Sequence, residues 1–178
     1  MNDWRPDTAW PIYLSDLDLA KIGLIAQADE QARQGALSCL KALRNWNSEA
    51  WMKAQRLKFH EVTKKLTTSA REINSELVSL IEALESERIE TQPLRNRYVH
   101  SLWGNSATPG EICSYDFQSS VLSKPHDIDI ALAAAVALTK AARLCVEAVA
   151  ALISEGKITE GEVGKGMTFY WRDRWITF

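Results

Sequence analysis

An alanine-rich segment near the carboxyl end limits the fold more than any other feature of the sequence. Ten of the 21 residues from 131 to 151 are alanine, and small side chains let helices approach closely. The polar residues of this part of the chain form one narrow stripe along the predicted helix: Lys140, Arg143, Glu147 and Ser154. We therefore predict one long helix over 128–154, capped by Asp127 and ended by Gly156. Its mostly apolar surface indicates that its own bundle surrounds it, with a second subunit as a further neighbour.

Periodic apolar residues predict two more helices in the first part of the chain. The first begins with Ser15 as its N-cap, with Asp18 three positions on, and runs to about Leu43. The second begins at Ser48 and runs to Leu66. Its other face is either an ordinary solvated helix surface or a phosphate-facing one, and it carries Lys53, Arg56, Lys58, His60, Lys64 and Lys65.

A further helix is predicted after residues 67–69, and the acidic run 82–90 ends it. Pro93 then starts a new short helical segment, because proline is favoured in a first helical turn. Gly104 is the predicted stop of this segment. Residues 105–126 form the longest connection, in which the sequence ICSYDF can form a short strand or hairpin.

These elements together predict a single all-α domain of 178 residues. Its fold is an up-and-down bundle of about four to five helices over 15–156, with a small irregular or hairpin insertion. An irregular arm precedes it at 1–14, and a glycine-rich linker and aromatic tail follow at 157–178. The tail either packs on the bundle or a neighbour, or stacks its aromatic rings on unpaired bases.

Charge and cysteine pattern narrow the classes of function. The net charge is −2, so any nucleic-acid binding must come from a local patch and not from overall charge. The three cysteines are scattered and form no zinc or disulfide pattern, and we expect no metal and no cofactor. No secretory signal or membrane span is visible, so the expected location is the cytoplasm, without membrane association.

The segment PLRNRYVHSLWG, residues 93–104, carries the chemistry. At about 100° per residue, Asn96 and His100 lie on one side of a helix. Arg95 lies about 140° from His100, and it converges with the others only if its long side chain curls round the helix. Leu94, Tyr98 and Leu102 form an apolar row that anchors the segment in the core.

Arginine, asparagine and histidine in this arrangement are suited to RNA cleavage without a metal. The 2′-hydroxyl attacks the adjacent phosphate, Arg95 stabilises the added negative charge and His100 moves the proton. Asn96 orients the imidazole or the substrate through its amide. On spacing alone, the alternative is structural: these side chains satisfy buried carbonyls and carboxylates of a packed helix.

The pattern Arg95-Asn96, three residues, then His100 resembles the signature of the HEPN superfamily. That signature is an arginine, four to six residues and a histidine, commonly with Asn, Asp or His directly after the arginine. The surrounding RNRYVHSLWG is also similar to the RN…HG(F/L)W segment of members of that superfamily, with Ser101 where glycine is frequent. The order of long helices, motif, irregular excursion and final long helix fits as well.

The resemblance implies a helical bundle that dimerises, with two motifs facing each other to form one composite ribonuclease site. By motif match, Arg95, Asn96 and His100 take the catalytic roles, and proximity makes Arg97 an additional RNA contact. Many such proteins resemble toxins of toxin–antitoxin or phage-defence systems, so RNA, a second copy and an antitoxin-like protein are the implied partners. The alternative is a non-catalytic HEPN-like module that binds nucleotides or a protein.

Overall fold

The chain folds as an all-α helical bundle with a small sheet inserted before its last helix. The structure, a computed structural model, describes residues 14–100, 102–105, 112–116, 121–123, 128–158, 168–171 and 174–177. For His100 and the strands the description covers the backbone alone. The helices are α1 (Asp16–Arg44), α2 (Ser48–Ala54), α3 (Phe59–Ala70), α4 (Ser75–His100) and α5 (Ile128–Ser154).

Five short strands accompany the helices in the described ranges. Strands β1 (Leu102–Asn105), β2 (Ile112–Asp116) and β3 (Val121–Ser123) form an antiparallel sheet in the order β1-β2-β3. Its register pairs Gly104 with Cys113 and Tyr115 with Leu122. Strands β4 (Thr168–Trp171) and β5 (Arg174–Thr177) form a separate antiparallel hairpin. The predicted hairpin insertion is therefore present as a three-stranded sheet, and the predicted tail contains a second hairpin.

The ends of α1 and the span of α5 follow the predictions closely. The Ser15 hydroxyl accepts a hydrogen bond from the backbone N–H of Asp18 at 3.1 Å, which confirms the predicted cap. Helix α1 ends one residue beyond the predicted Leu43, and Asn45 follows in the left-handed conformation. Gly156, with φ of +71°, follows α5. Asp127, the predicted cap of α5, lies outside the described residues.

The predicted second helix is wrong as a single element, because it divides into α2 and α3. Asn47, not Ser48, caps α2, and its Oδ1 accepts from the N–H of Ala50 at 2.9 Å. Arg33 of α1 stabilises the turn between the two helices by donating to the carbonyl oxygens of Gln55 and Leu57, both at 3.2 Å.

The predicted helix start at residues 67–69 is also wrong, because these residues belong to α3. Their hydroxyls donate to carbonyl oxygens four residues earlier, so the helix continues through them. Helix α4 begins later, where the Asn74 side chain accepts from the N–H of Leu77 at 2.8 Å.

Helix α4 continues through both predicted breaks, the acidic run 82–90 and Pro93. A proline inside a helix leaves the carbonyl four residues earlier without its usual donor. That carbonyl belongs to Ile89. This residue is 56% exposed, so water can replace the lost donor. The buried Thr91 and Tyr98 hold the flanking turns in the core. The helix ends at His100, whereas Gly104, the predicted stop, lies in β1.

Contacts between helices define the directions of the bundle. Lys21 of α1 pairs with Asp129 of α5 at 2.6 Å, and Gly35 of α1 lies against Ala142 of α5, so these helices run parallel. Thr91 of α4 donates to the carbonyl oxygen of Ala134. Helix α4 runs antiparallel to α5, and its carboxyl end therefore lies beside the amino ends of α1 and α5.

Among the described residues, two buried apolar clusters form the core. The larger one spans most of the bundle and includes Leu37, Leu40, Leu66, Ile81 and Leu138. The smaller one fills the end where α4 finishes, which we call the motif end, and it consists of Ile25, Ala28, Tyr98, Ile128, Ala131 and Ala135. The bundle covers α5 on one side only, since Ile130, Val136 and Leu144 are exposed. None of the described helices combines the length and apolarity that a bilayer crossing requires.

Candidate functional site

The three predicted catalytic residues all lie in the last six residues of α4. Arg95 is half-buried and Asn96 is exposed. The Arg95 Nη1 donates a hydrogen bond to the Asn96 Oδ1 at 3.2 Å, so these two side chains are in contact. His100 is the final residue of the helix, one turn after Asn96; its side chain lies outside the description.

Arg97, the predicted additional RNA contact, lies on a different part of the helix. It is half-buried, and two residues along a helix place it about 160° from Arg95. Its position is only about 60° from that of His100. The structure therefore does not bring the two arginines together on one face.

Buried residues on the same side of α4 as Arg95 hold this end of the helix in the core. The Tyr98 side chain is 1% exposed and packs in the smaller cluster with Ile25 and Ile128. One turn before Arg95, the buried Thr91 hydroxyl donates to the Ala134 carbonyl oxygen at 3.2 Å. These contacts tie the motif to both neighbouring helices, and a rigid support of this kind is what a binding or catalytic side chain needs.

A polar network that the sequence reasoning missed lies on the same stripe of α4. Arg88 donates to the Glu85 carboxylate through Nη2 at 2.6 Å and Nε at 2.8 Å. Its Nη1 donates to the Gln92 side chain at 2.7 Å, and Thr63 of α3 donates to Glu85 at 2.7 Å. Spacings of three and four residues between these α4 positions are the signal that could have revealed it.

Charge and burial act in opposite directions on Glu85. Burial raises the pKa of its carboxyl. Hydrogen bonds from Arg88 and Thr63 and nearby positive charge, His60 included, lower the pKa by more than burial raises it, so the net shift is downward.

The polar stripe of α4 reaches the motif. Glu85 lies three residues before Arg88 and eleven residues before Asn96, so the stripe extends along the helix for about 16 Å. Two guanidinium groups on this stripe, Arg88 and Arg95, each donate to a neighbouring amide oxygen.

Exposed apolar side chains concentrate near the motif end. Leu17 and Leu24 of α1 are 65% and 55% exposed, and Ile130 and Val136 of α5 are 61% and 62% exposed. Leu17 and Leu24, seven residues apart, share one face of α1, while Ile130 and Val136 lie about 120° apart round α5. Exposed apolar side chains of this size at one end of a domain indicate a contact surface for another protein.

The two cysteines whose side chains the structure describes lie away from this end. Cys39 and Cys145 are buried in the larger cluster, and burial raises the pKa of both thiols, to about 12 for Cys145. Such thiols are poor nucleophiles. Within the described ranges, no three side chains of the metal-ligating types come together.

Comparisons with known proteins give no relative for this site. No protein-family model, curated protein or solved structure matches the chain. The functional interpretation therefore depends on the residues themselves.

Proposed function

We propose that the protein is a metal-independent endoribonuclease of HEPN type that acts as a homodimer. The observation that carries the proposal is the contact between Arg95 and Asn96 on the last turns of a helix that ends at His100. A guanidinium, a carboxamide and an imidazole thus occur within two turns, on a segment that buried residues hold in place.

The chemistry assigned to these groups follows from their types. The ribose 2′-oxygen attacks the adjacent phosphorus, the bond from phosphorus to the 5′-oxygen breaks, and a 2′,3′-cyclic phosphate and a 5′-hydroxyl result. His100 takes the proton from the 2′-hydroxyl or delivers one to the 5′-oxygen. Arg95 stabilises the negative charge that develops on the phosphate, while Asn96 holds the guanidinium toward it.

The exposed apolar surface at the motif end supports the homodimer. Leu17, Leu24, Ile130 and Val136 lie at the same end of the bundle as Arg95. A second copy that covers this surface brings two motifs close together. An antitoxin-like protein is the alternative occupant, and the same surface supports the second candidate function, a non-catalytic interaction module.

Cleavage of RNA without divalent ions tests the proposal. Purified protein is incubated with labelled RNA in EDTA, beside the variants Arg95→Ala and His100→Ala and the control Arg143→Ala. Arg143 is a half-buried arginine on α5 that pairs with Glu147, so the control removes a similar group away from the motif. We expect cleavage by the wild type and the control, and a loss of roughly 10²–10³-fold in the two motif variants.

The other outcomes distinguish the alternatives. Equal cleavage by all four proteins indicates a contaminating nuclease. No cleavage of any RNA by a folded wild-type protein contradicts the enzyme and favours the interaction module. Circular dichroism of each variant shows whether the fold is retained.

A further inference from the structure

A basic groove lies between the carboxyl end of α1 and the outer face of α3, away from the motif end. It has a volume of about 510 Å³ and is lined by Arg44, His60, Glu61, Lys64, Lys65 and Thr68. The only carboxylate among these residues is that of Glu61, which already accepts a hydrogen bond from the backbone N–H of Lys58 at 2.7 Å. The groove is therefore dominated by positive charge.

The lysines of this groove differ from other lysines on the surface. Lys53 pairs with Glu49 at 2.7 Å and Lys157 pairs with Glu155 at 2.7 Å. In the part of the chain that the structure describes, no carboxylate lies within ion-pair distance of Lys64 or Lys65, and both are exposed. Their charge is available to an external anion.

The spacing of the groove residues favours an extended anion over a single one. His60, Lys64 and Thr68 follow one another at four-residue intervals, which are about 6 Å apart along a helix face. On the opposite wall, the Arg44 Nε donates to the Ser69 hydroxyl at 2.8 Å, which fixes that guanidinium beside the row. A row of hydrogen-bond donors about 12 Å long, flanked by the charges of Arg44, Lys64 and Lys65, is suited to successive phosphates of one strand.

The groove also adjoins the polar stripe of α4 that reaches the motif. At one end of the row, Thr63, three residues after His60 on α3, donates a hydrogen bond to the Glu85 carboxylate of α4 at 2.7 Å. Arg88 binds Glu85, and the stripe continues through Gln92 to Asn96. A line of polar and charged groups, in which Arg88 neutralises the Glu85 carboxylate, thus leads from the groove to the motif.

We propose that the groove lined by Arg44, His60, Lys64 and Lys65 binds the phosphodiester backbone of single-stranded RNA and leads the strand toward the motif. The identity of the ligand as RNA rests on the proposed function, whereas the affinity of the groove for a polyanionic strand rests on its own charge and spacing. Binding of this type is insensitive to sequence and sensitive to salt, because phosphate contacts release counterions.

Binding to a labelled RNA of about 20 nucleotides, followed by fluorescence anisotropy in EDTA, tests the groove. All proteins carry His100→Ala so that the RNA stays intact. The double variant Lys64→Gln/Lys65→Gln is compared with Lys140→Gln/Lys157→Gln, which removes the same charge from α5 and its carboxyl-terminal turn. We expect the groove variant to bind roughly tenfold more weakly, and the slope of log K against log salt to fall by about 1.4, or about 0.7 for each lost contact.

The outcomes separate the groove from the ribonuclease. Equal binding by the two double variants overturns the proposal that the groove binds RNA, even if the wild type cleaves RNA. Weak binding by the groove variant alone supports this proposal, even if no RNA is cleaved. Absence of RNA binding by every protein overturns the proposal as well. Equally tight binding of a polyglutamate chain of the same charge overturns the assignment of the ligand as a phosphodiester strand.

Discussion

Replacing Gly35 by alanine tests how closely α1 and α5 pack, and this packing supports the motif end. A Cβ added at Gly35 meets the Val146 Cγ2 at 3.6 Å and the Ala142 Cβ at 3.7 Å, which are ordinary contact distances. At Gly23, on the same helix, an added Cβ has no atom within 4 Å. The two positions share the helix and the substitution, and they differ only in the neighbour across the interface.

The expected gain in stability follows from two separate effects. Alanine is preferred over glycine inside a helix by about 1 kcal/mol, and both substitutions gain this amount. The methyl group at position 35 is also buried against α5, which adds up to about 0.8 kcal/mol. For a chain of this size we expect the melting temperature to rise by about 2–4 °C for Gly23→Ala and by up to about 4–7 °C for Gly35→Ala.

Thermal unfolding followed by circular dichroism measures both variants under one set of conditions. Gly35→Leu is a useful third variant, since a larger side chain overfills the contact and is expected to destabilise the protein by about 1–3 kcal/mol. A decrease in melting temperature for Gly35→Ala beside an increase for Gly23→Ala would contradict the contact distances between position 35 and α5 given above.

Three further predictions concern α4 and the exposed surface. Pro93→Ala restores the N–H donor for the Ile89 carbonyl and raises the free energy of unfolding, measured with urea, by up to about 3 kcal/mol; a decrease would contradict a continuous helix. Since hydrogen bonds lower the pKa of Glu85 in the folded state, its contribution to stability is complete above its unfolded pKa near 4.5 and is lost as the pH falls through the lower folded value. Melting temperatures from pH 7 to pH 3 should therefore decline less for Glu85→Gln than for the wild type, and equal declines would rule out this role. Leu24→Glu places a charge on the exposed apolar surface, so light scattering should give about 20.0 kDa for the variant and twice that for the wild type; a variant that remains dimeric would exclude this interface.

Local signals in the sequence were sufficient for α1 and α5. The Ser15 cap depends on a contact three residues away, and the span 128–154 depends on composition and on periodic small residues. Both are properties of a short segment, which is why the helix bounds could be predicted. The break between α2 and α3 depends instead on Arg33, more than twenty residues earlier, whose contacts with Gln55 and Leu57 no local pattern shows.

Residues that favour caps and breaks misled the prediction in α3 and α4. Threonine and serine at 67–69 are good cap residues, yet their hydroxyls bond to the preceding turn and the helix continues. Pro93 is tolerated because the affected carbonyl, that of Ile89, faces water while the opposite side of α4 is buried. In α4 tertiary packing outweighed the local preference, whereas in α3 the hydroxyls found partners within the helix itself.

The candidate site was predicted in part. The sequence identified Arg95, Asn96 and His100 as one group, and the contact between Arg95 and Asn96 is present in the structure. The network of Glu85 and Arg88 was not predicted, because a glutamate and an arginine three residues apart are common on solvated helices. Only the burial of Arg88 beside α3 distinguishes this pair.

Cleavage of RNA and of a matched strand with a single 2′-deoxyribose, both in EDTA, tests the central claim most directly. The measurement identifies the cleavage position and the new ends by mass spectrometry, for the wild type and for His100→Ala. We expect the wild type to leave a 2′,3′-cyclic phosphate and a 5′-hydroxyl, to spare the bond after the deoxyribose, and to lose cleavage with His100→Ala. Cleavage after the deoxyribose, or unchanged cleavage by the variant, would contradict the assignment of Arg95, Asn96 and His100 as a ribonuclease site.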